Sequence, residues 1–312
     1  MINYLKYYFK NYPLLFYLIK KVNRKFISFR NFIYPPRIIE SERLLFKKIY
    51  PHCKIVFDVG ARFDVDYIEI SKGNQIEYHL FEINPIFFEK LKKKLGLFNN
   101  TEKITANNIG IGDRAGFFDY CEKTQSLFNR LTNEPKSLEQ LKKLPVITLH
   151  SYLKYKKIKR IDFLKTDIEC YDYFALRGLK SYLKKIKFIQ FELGLGARLN
   201  LREGGGGGKK HLQYVGIEHY LNILKKDFVL YFLKDENNPI WKKSNLKNKD
   251  LIFFNKKDIS NIIKFTKVGI GFNIFAISKK INISLLELSI SRDKILDFKE
   301  FKKKRFHKKN KF

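Results

Sequence analysis

Short apolar runs that end in Asp, Glu or Gly alternate along this chain with Lys- and Leu-rich stretches of helical period. The runs are KIVFDVGA from Lys54, IEYHLFEINP from Ile76, ITANNIGIG from Ile104, IDFLKTDIE from Ile161 and KFIQFELGLG from Lys187. Between them lie stretches such as FFEKLKKKLGLF from Phe87 and YFALRGLKSYLKKI from Tyr173. Strands that alternate with helices imply βαβ units and a parallel sheet with helices on both faces. YLNILKKDFVLYFLK from Tyr220 continues as helix then strand, and DLIFFNK from Asp250 supplies a last strand. The expectation is a Rossmann-like α/β fold of about seven mostly parallel strands, with ligand at their carboxyl ends.

The flanks have a different texture. Residues 1–37, MINYLKYYFKNYPLLFYLIKKVNRKFISFRNFIYPPR, break every apolar run with Lys or Arg, and Pro35-Pro36 closes the segment. A membrane-spanning helix needs roughly 20 predominantly apolar residues, and a signal peptide needs a small-residue cleavage site; neither pattern is present. Residues 1–50 therefore read as a basic, amphipathic, helical extension that lies on an anionic membrane or packs on the domain. The domain proper spans 51–257. Residues 258–312 form a C-terminal extension: IIKFTKVGIGFNIFAIS from Ile262 reads as a hairpin turning at Gly269–Gly271, and FKEFKKKRFHKKNKF from Phe298 is a basic tail. Five glycines in REGGGGGKK, from Arg202 to Lys210, hold neither helix nor strand. They mark a flexible loop, without the spacing of a phosphate loop.

A formal charge of +32, from 63 basic and 31 acidic residues, raises nucleic acid or an anionic membrane as partners. The chain is also crowded with Lys, Asn, Ile, Phe and Tyr and holds only six alanines, the bias of a low-GC genome. The lysines are spread along the whole chain, which favours the compositional explanation. Three scattered cysteines, Cys53, Cys121 and Cys170, suit a reducing compartment and leave no disulfide framework or zinc signature. The expected location is the cytoplasm, with peripheral contact at the inner membrane face.

Two strand ends carry the first chemical signal. Asp58 precedes Gly60 and Ala61 at the end of the first run, and a Gly there lets a ligand approach the backbone closely. Glu82, in FEINP with Asn84, follows roughly 20 residues later, where an acidic side chain can accept both ribose hydroxyls of a nucleoside. NAD is the rival ligand, but DVGARFDVD holds one glycine where the dinucleotide fingerprint needs three.

The ordered series DVGA, FEINP, NNIGIGDRAG, ITLHSYL, IDFLKTDIECYDYFALRG and FIQFELG resembles the FkbM family of S-adenosylmethionine-dependent methyltransferases over about residues 54–255. KTDIE with its ALRG sequel is the most specific part. The resemblance implies S-adenosylmethionine as cofactor, held by Asp58, Gly60, Ala61, Glu82, Asn84, Asn108 and Asp167. It also implies methyl transfer to an oxygen, with a saccharide or glycolipid hydroxyl as acceptor. Two positions depart from the family. Asp64 stands where a second glycine is usual, and Cys170 where Gly is usual. Asp64 either bonds the cofactor's ammonium group or obstructs the site.

Asp167 and Glu169 are the expected catalytic carboxylates, with Lys165 on the same side of the strand as their ion-pair partner. They serve as a base, hold a divalent cation that activates a hydroxyl, or simply fix the turn. No dedicated metal ligands are assigned. Glu192 is a further pocket candidate, and His211 and His219, which flank the glycine loop, are candidate bases or else structural or solvated side chains. The alternative function is a non-catalytic basic module that holds RNA or another anionic polymer on a degenerate methyltransferase fold. No RRM, KH or helix-turn-helix signature supports it.

Overall fold

The computed structural model describes residues 40–71, 75–98, 101–121, 126–128, 141–168, 171–193, 215–233, 250–255, 258–267, 271–291 and 298. The chain divides into two units, 1–40 and 41–312, and the first lies outside the described residues apart from Glu40. In chain order the elements are α1 (Glu40–Ile49), β1 (Ile55–Val59), α2 (Asp66–Ile70), β2 (Glu77–Phe81), α3 (Pro85–Leu95), β3 (Ile104–Asn107), β4 (Gly110–Gly112), β5 (Gly116–Cys121), β6 (Ser126–Phe128) and β7 (Leu141–Thr148). They continue with α4 (Leu149–Tyr155), β8 (Ile161–Thr166), α5 (Asp172–Arg177), β9 (Ile186–Leu193), α6 (Ile217–Leu224), β10 (Phe228–Leu233), β11 (Leu251–Phe253), α7 (Ile259–Lys267), β12 (Phe272–Ser278) and β13 (Ile290–Ser291).

The main sheet runs β13-β11-β10-β12-β9-β8-β1-β2-β3. From β3 to β9 its strands are parallel, whereas β12 is antiparallel to both of its neighbours. It has nine strands, not the seven expected. The excess comes from β12, whose residues were expected in a hairpin of the C-terminal extension, and from the two-residue edge strand β13, which is too short to stand out as a periodic run. A second sheet, β4-β7-β5-β6, is inserted between β3 and β8.

Period-2 alternation divides the main sheet into two buried faces. One carries Val56, Phe163 and Phe188 and is covered by α1 and α2. There Phe46 of α1 meets Tyr67 at 4.6 Å and Phe163 at 5.3 Å. The other carries Phe57, Phe81, Phe191 and Phe272, packed by Tyr152 of α4, Tyr220 of α6 and Phe265 of α7. Helices thus cover both faces, as the sequence pattern requires.

The segment 1–50 supplies α1 to this fold, and residues 258–312 supply a strand within the sheet. The hairpin expected over 262–278 is instead a helix, α7, followed by β12. Ile259, Ile262, Ile263 and Thr266 stand at i, i+3, i+4 and i+7, so β-branched residues that suggest a strand fall on one helical stripe. The glycine loop at 202–210 lies outside the described residues, as does the basic tail apart from Phe298, whose ring packs on Phe265.

Candidate functional site

The order of the sheet creates the site. From β1 the chain moves outward through β2 to β3, then crosses back to β8 on the other side of β1. Ligands of open α/β sheets bind where the strand order reverses, beyond the carboxyl ends of the strands. Gly60 follows β1, Glu82 follows β2, Asn108 follows β3 and Asp167 follows β8.

Gly60 has a φ of +86°, and a Cβ there would lie 2.0 Å from the Asp167 carbonyl oxygen. Only glycine satisfies both the left-handed turn and the close approach. The Gly60 and Ala61 amides donate to the Phe81 carbonyl at 2.9 and 3.1 Å, and the Asp167 amide donates to Val59 at 2.9 Å. These bonds lash the ends of β1, β2 and β8 together. The Ala61 side chain is buried in the turn.

Glu82 is buried, and its two carboxylate oxygens accept from the backbone amides of Arg62 at 2.8 Å and Asn84 at 2.6 Å. Burial raises its pKa, and the two amides oppose that shift. Each oxygen keeps a further lone pair for a ligand hydroxyl. Asn108 Nδ2 donates to the Glu82 carbonyl at 2.7 Å and so fixes the same loop. Asn84 is the N-cap of α3, and its Oδ1 accepts from the Ile86 amide at 2.9 Å.

A row of polar side chains crosses the sheet at this end. Asp58 pairs in register with Lys165, and Lys165 with Gln190. Lys165 Nζ lies 3.4 Å from Asp58 and 3.6 Å from Asp167. Burial alone would push this ammonium toward neutrality. Asp58 and Asp167, with Tyr67 and Glu42, outweigh burial and hold Lys165 well above its ordinary range. Burial raises the Asp58 pKa against the pull of Lys165, and one oxygen of Asp58 is buried without a hydrogen-bond partner. Half-buried Asp64 feels the same balance, burial raising its pKa and Lys165 opposing.

Asp167 is the open member of the row, with 46% of its side chain exposed. Glu169 and Cys170 lie outside the described residues, as does His211. Glu192 sits two residues beyond Gln190 on the same face of β9, paired in register with Asn273. His219 turns to its own helix instead. Its Nδ1 accepts from the Gly216 amide at 3.2 Å, and its ring packs on Tyr173. Among the described residues no group of three His, Cys, Asp or Glu side chains is arranged to hold a metal ion.

Three further side chains join the site: Glu42 and Gln190, which had no expected role, and Asp172, the acidic residue that follows the KTDIE block. Glu42 of α1 is buried beside Gln190 and Lys165, and burial lifts its pKa to about 7. Asp172, at the start of α5, is buried and lifted to about 7, first by burial and then by the charge of Asp167. Gln190 completes the row. Glu42 shares the helical stripe of Leu45, Phe46 and Ile49, at i+3, i+4 and i+7, and that phase is the signal that would have found it.

Comparison with known proteins adds the family. The Methyltransferase FkbM domain matches residues 58–227, more than half of the chain. The structure of methyltransferase FkbM from Methylobacillus flagellatus KT matches with 17% identity and a TM-score of 0.39, over 58% of this chain and 40% of that one. This chain therefore spans less than half the length of that relative. The O-methyltransferase from Bacillus cereus in complex with SAH matches with 9% identity and a TM-score of 0.43, over 89% of this chain and 100% of that one. No curated protein matches. With its strand-end turn at Gly60, its acidic residue at Glu82 and the family match that begins at Asp58, this chain belongs to the FkbM methyltransferase domain family.

Proposed function

We propose that this chain transfers a methyl group from S-adenosylmethionine to a hydroxyl oxygen of a saccharide or glycolipid. The observation that carries this reading is the meeting of Gly60, Glu82 and Asp167 where the strand order reverses. The residues fit the cofactor. The Gly60 turn leaves backbone where a side chain would stand, Glu82 retains acceptor capacity for a diol, and Asp58, Asp64 and Asp167 favour a ligand that carries positive charge. The cofactor supplies a sulfonium-bound methyl that a nucleophilic oxygen can take.

The chain's own work is then to position the acceptor hydroxyl and receive its proton. Lys165 stays protonated and serves as the fixed counter-charge that holds Asp58 and Asp167. Asp167, half open, is the carboxylate within reach of an entering acceptor. The glycan acceptor follows from the likeness to the FkbM family. The basic residues 1–39, ahead of α1, suit an acceptor presented at an anionic membrane; truncating them with α1 kept should abolish pelleting with anionic liposomes, and unchanged pelleting would remove the membrane from the proposal.

Calorimetric titration with S-adenosylmethionine and S-adenosylhomocysteine tests the cofactor site. Wild type should bind both, and Glu82→Ala should weaken binding by about tenfold or more, the worth of charge-assisted hydrogen bonds to a diol. A folded wild type that binds neither would overturn the proposal.

A further inference from the structure

A second constellation of side chains lies beside the site. Arg62 and Phe63 come from the turn after β1, whereas Phe87, Lys90 and Lys94 share one face of α3 at i, i+3 and i+7. The two rings meet edge to face at 5.7 Å. The Arg62 guanidinium lies 5.1 Å from the Phe87 ring and 5.6 Å from Phe63. Lys90 Nζ lies 5.7 and 5.8 Å from the Phe63 and Phe87 rings, and Lys94 Nζ lies 4.9 Å from Phe63. Three cations therefore converge on two rings from elements more than 20 residues apart.

Aromatic faces attract cations but offer no lone pair to their N–H donors. Lys92, on the same helix, has its carboxylate in Glu89 at 2.7 Å. Among the described residues, Arg62, Lys90 and Lys94 make no ion pair, and Arg62 Nε is buried without an acceptor. Arg62 also holds a φ of +51°, a left-handed conformation that a residue with a Cβ adopts only when its surroundings impose it. That turn directs the Arg62 amide to Glu82 while its side chain reaches the rings. The cluster is continuous with the site: Arg62 acts on the charge of Glu82, and Lys94 on that of Asp64.

Bare donors on a preorganised apolar platform call for a compact, multiply charged oxyanion, bound bidentately by the guanidinium and as point charges by the lysines. We infer that Arg62, Lys90 and Lys94 form a phosphate-binding subsite, which takes the phosphate or pyrophosphate group of the acceptor. Its role toward the acceptor rests on the methyl-transfer proposal; the anion binding itself does not. The phosphate belongs either to a soluble sugar phosphate or to a lipid headgroup.

The test is calorimetry of the full chain with inorganic pyrophosphate at fixed salt, on Lys90→Gln/Lys94→Gln and on Lys92→Gln/Lys93→Gln. Both double variants lose the same charge from the same helix, but only the first loses it from the rings. The first should weaken binding by about tenfold, and the second by less than about twofold. Equal weakening, or no pyrophosphate binding by wild type, would overturn the subsite. Glucose 1-phosphate in solution and phosphatidylglycerol vesicles then identify the source, according to which of them loses affinity in the first variant alone. S-adenosylhomocysteine titrated into the same samples separates the two proposals. If wild type fails to bind it while the pyrophosphate difference stands, methyl transfer fails and the anion site survives.

Discussion

At the scale of single residues, Asp167 and Lys165 divide the work that one charged side chain cannot do alone. Lys165 is buried in a strand with all six residues buried, and its charge is tolerable only because Asp58 and Asp167 flank it. Asp167 has the opposite character, since half of its side chain meets solvent. Replacement by Asn should lower kcat by about 10²- to 10⁴-fold, the range for removal of a general base. The thermal midpoint should change little. If the midpoint collapses and the rate per folded molecule does not, Asp167 is a structural partner of Lys165 and no base. The pairing of Asp58 with Lys165 was not legible in the sequence, because it depends on the register of two strands more than 100 residues apart. Asn84 has a local role besides the one expected of it. An Asn directly before a Pro at the first helical position is a capping signal, and the cap is where the structure uses it.

At the scale of elements, the carboxyl ends of the strands carry the chemistry, and their amino ends carry the anchoring. Asp162, at the start of β8, is fully buried. Its Oδ2 accepts from the amides of Lys54 and Ile55 at 2.8 and 3.1 Å, and its Oδ1 lies 2.8 Å from Lys187 Nζ. One carboxylate thus ties the entry of β1 to β8 and β9. Asp162→Ala leaves the part-buried amides of Lys54 and Ile55 without their acceptor, whereas Lys187 keeps the His52 carbonyl at 2.8 Å, so it should destabilise the fold by about 1–3 kcal/mol. Urea unfolding measures this, and a loss below about 1 kcal/mol would refute the clamp. The strands that bear the site were legible because each ends where an apolar run meets Asp, Glu or Gly. The inserted sheet β4–β7 was not, because ITANNIGIG reads as one strand although Asn107-Asn108 divide it into β3 and β4.

At the scale of the whole molecule, the site couples to stability through Glu42. This residue sits on α1 and faces Gln190, Lys165, Asp167 and Asp58. Its pKa rises from 4.5 to about 7 on folding, chiefly through burial. A raised carboxyl pKa means that the folded state binds the proton more tightly than the unfolded state. The stability it contributes is complete below pH 4.5 and is lost as pH rises through 7. Asp172 acts in the same direction from its own value of about 7. Glu42→Gln should therefore reduce, without abolishing, the fall in stability between pH 5 and 8. At pH 8 it should be more stable than wild type by on the order of 2 kcal/mol. Denaturation midpoints at the two pH values decide this, and parallel losses in both proteins would show that Glu42 adds nothing to the pH dependence.

The position of β12 has a consequence for how the molecule is made. This strand lies between β9 and β10, although both are synthesised before it. Until residues 272–278 emerge from the ribosome, β9 and β10 have no shared partner, and each offers a row of unpaired amides and carbonyls to any neighbour. Folding of the parallel half can begin early, but closure of the sheet waits for residues 272–278. The nascent chain therefore passes through an interval in which an edge of β9 and an edge of β10 are open to capture by a chaperone or by another strand.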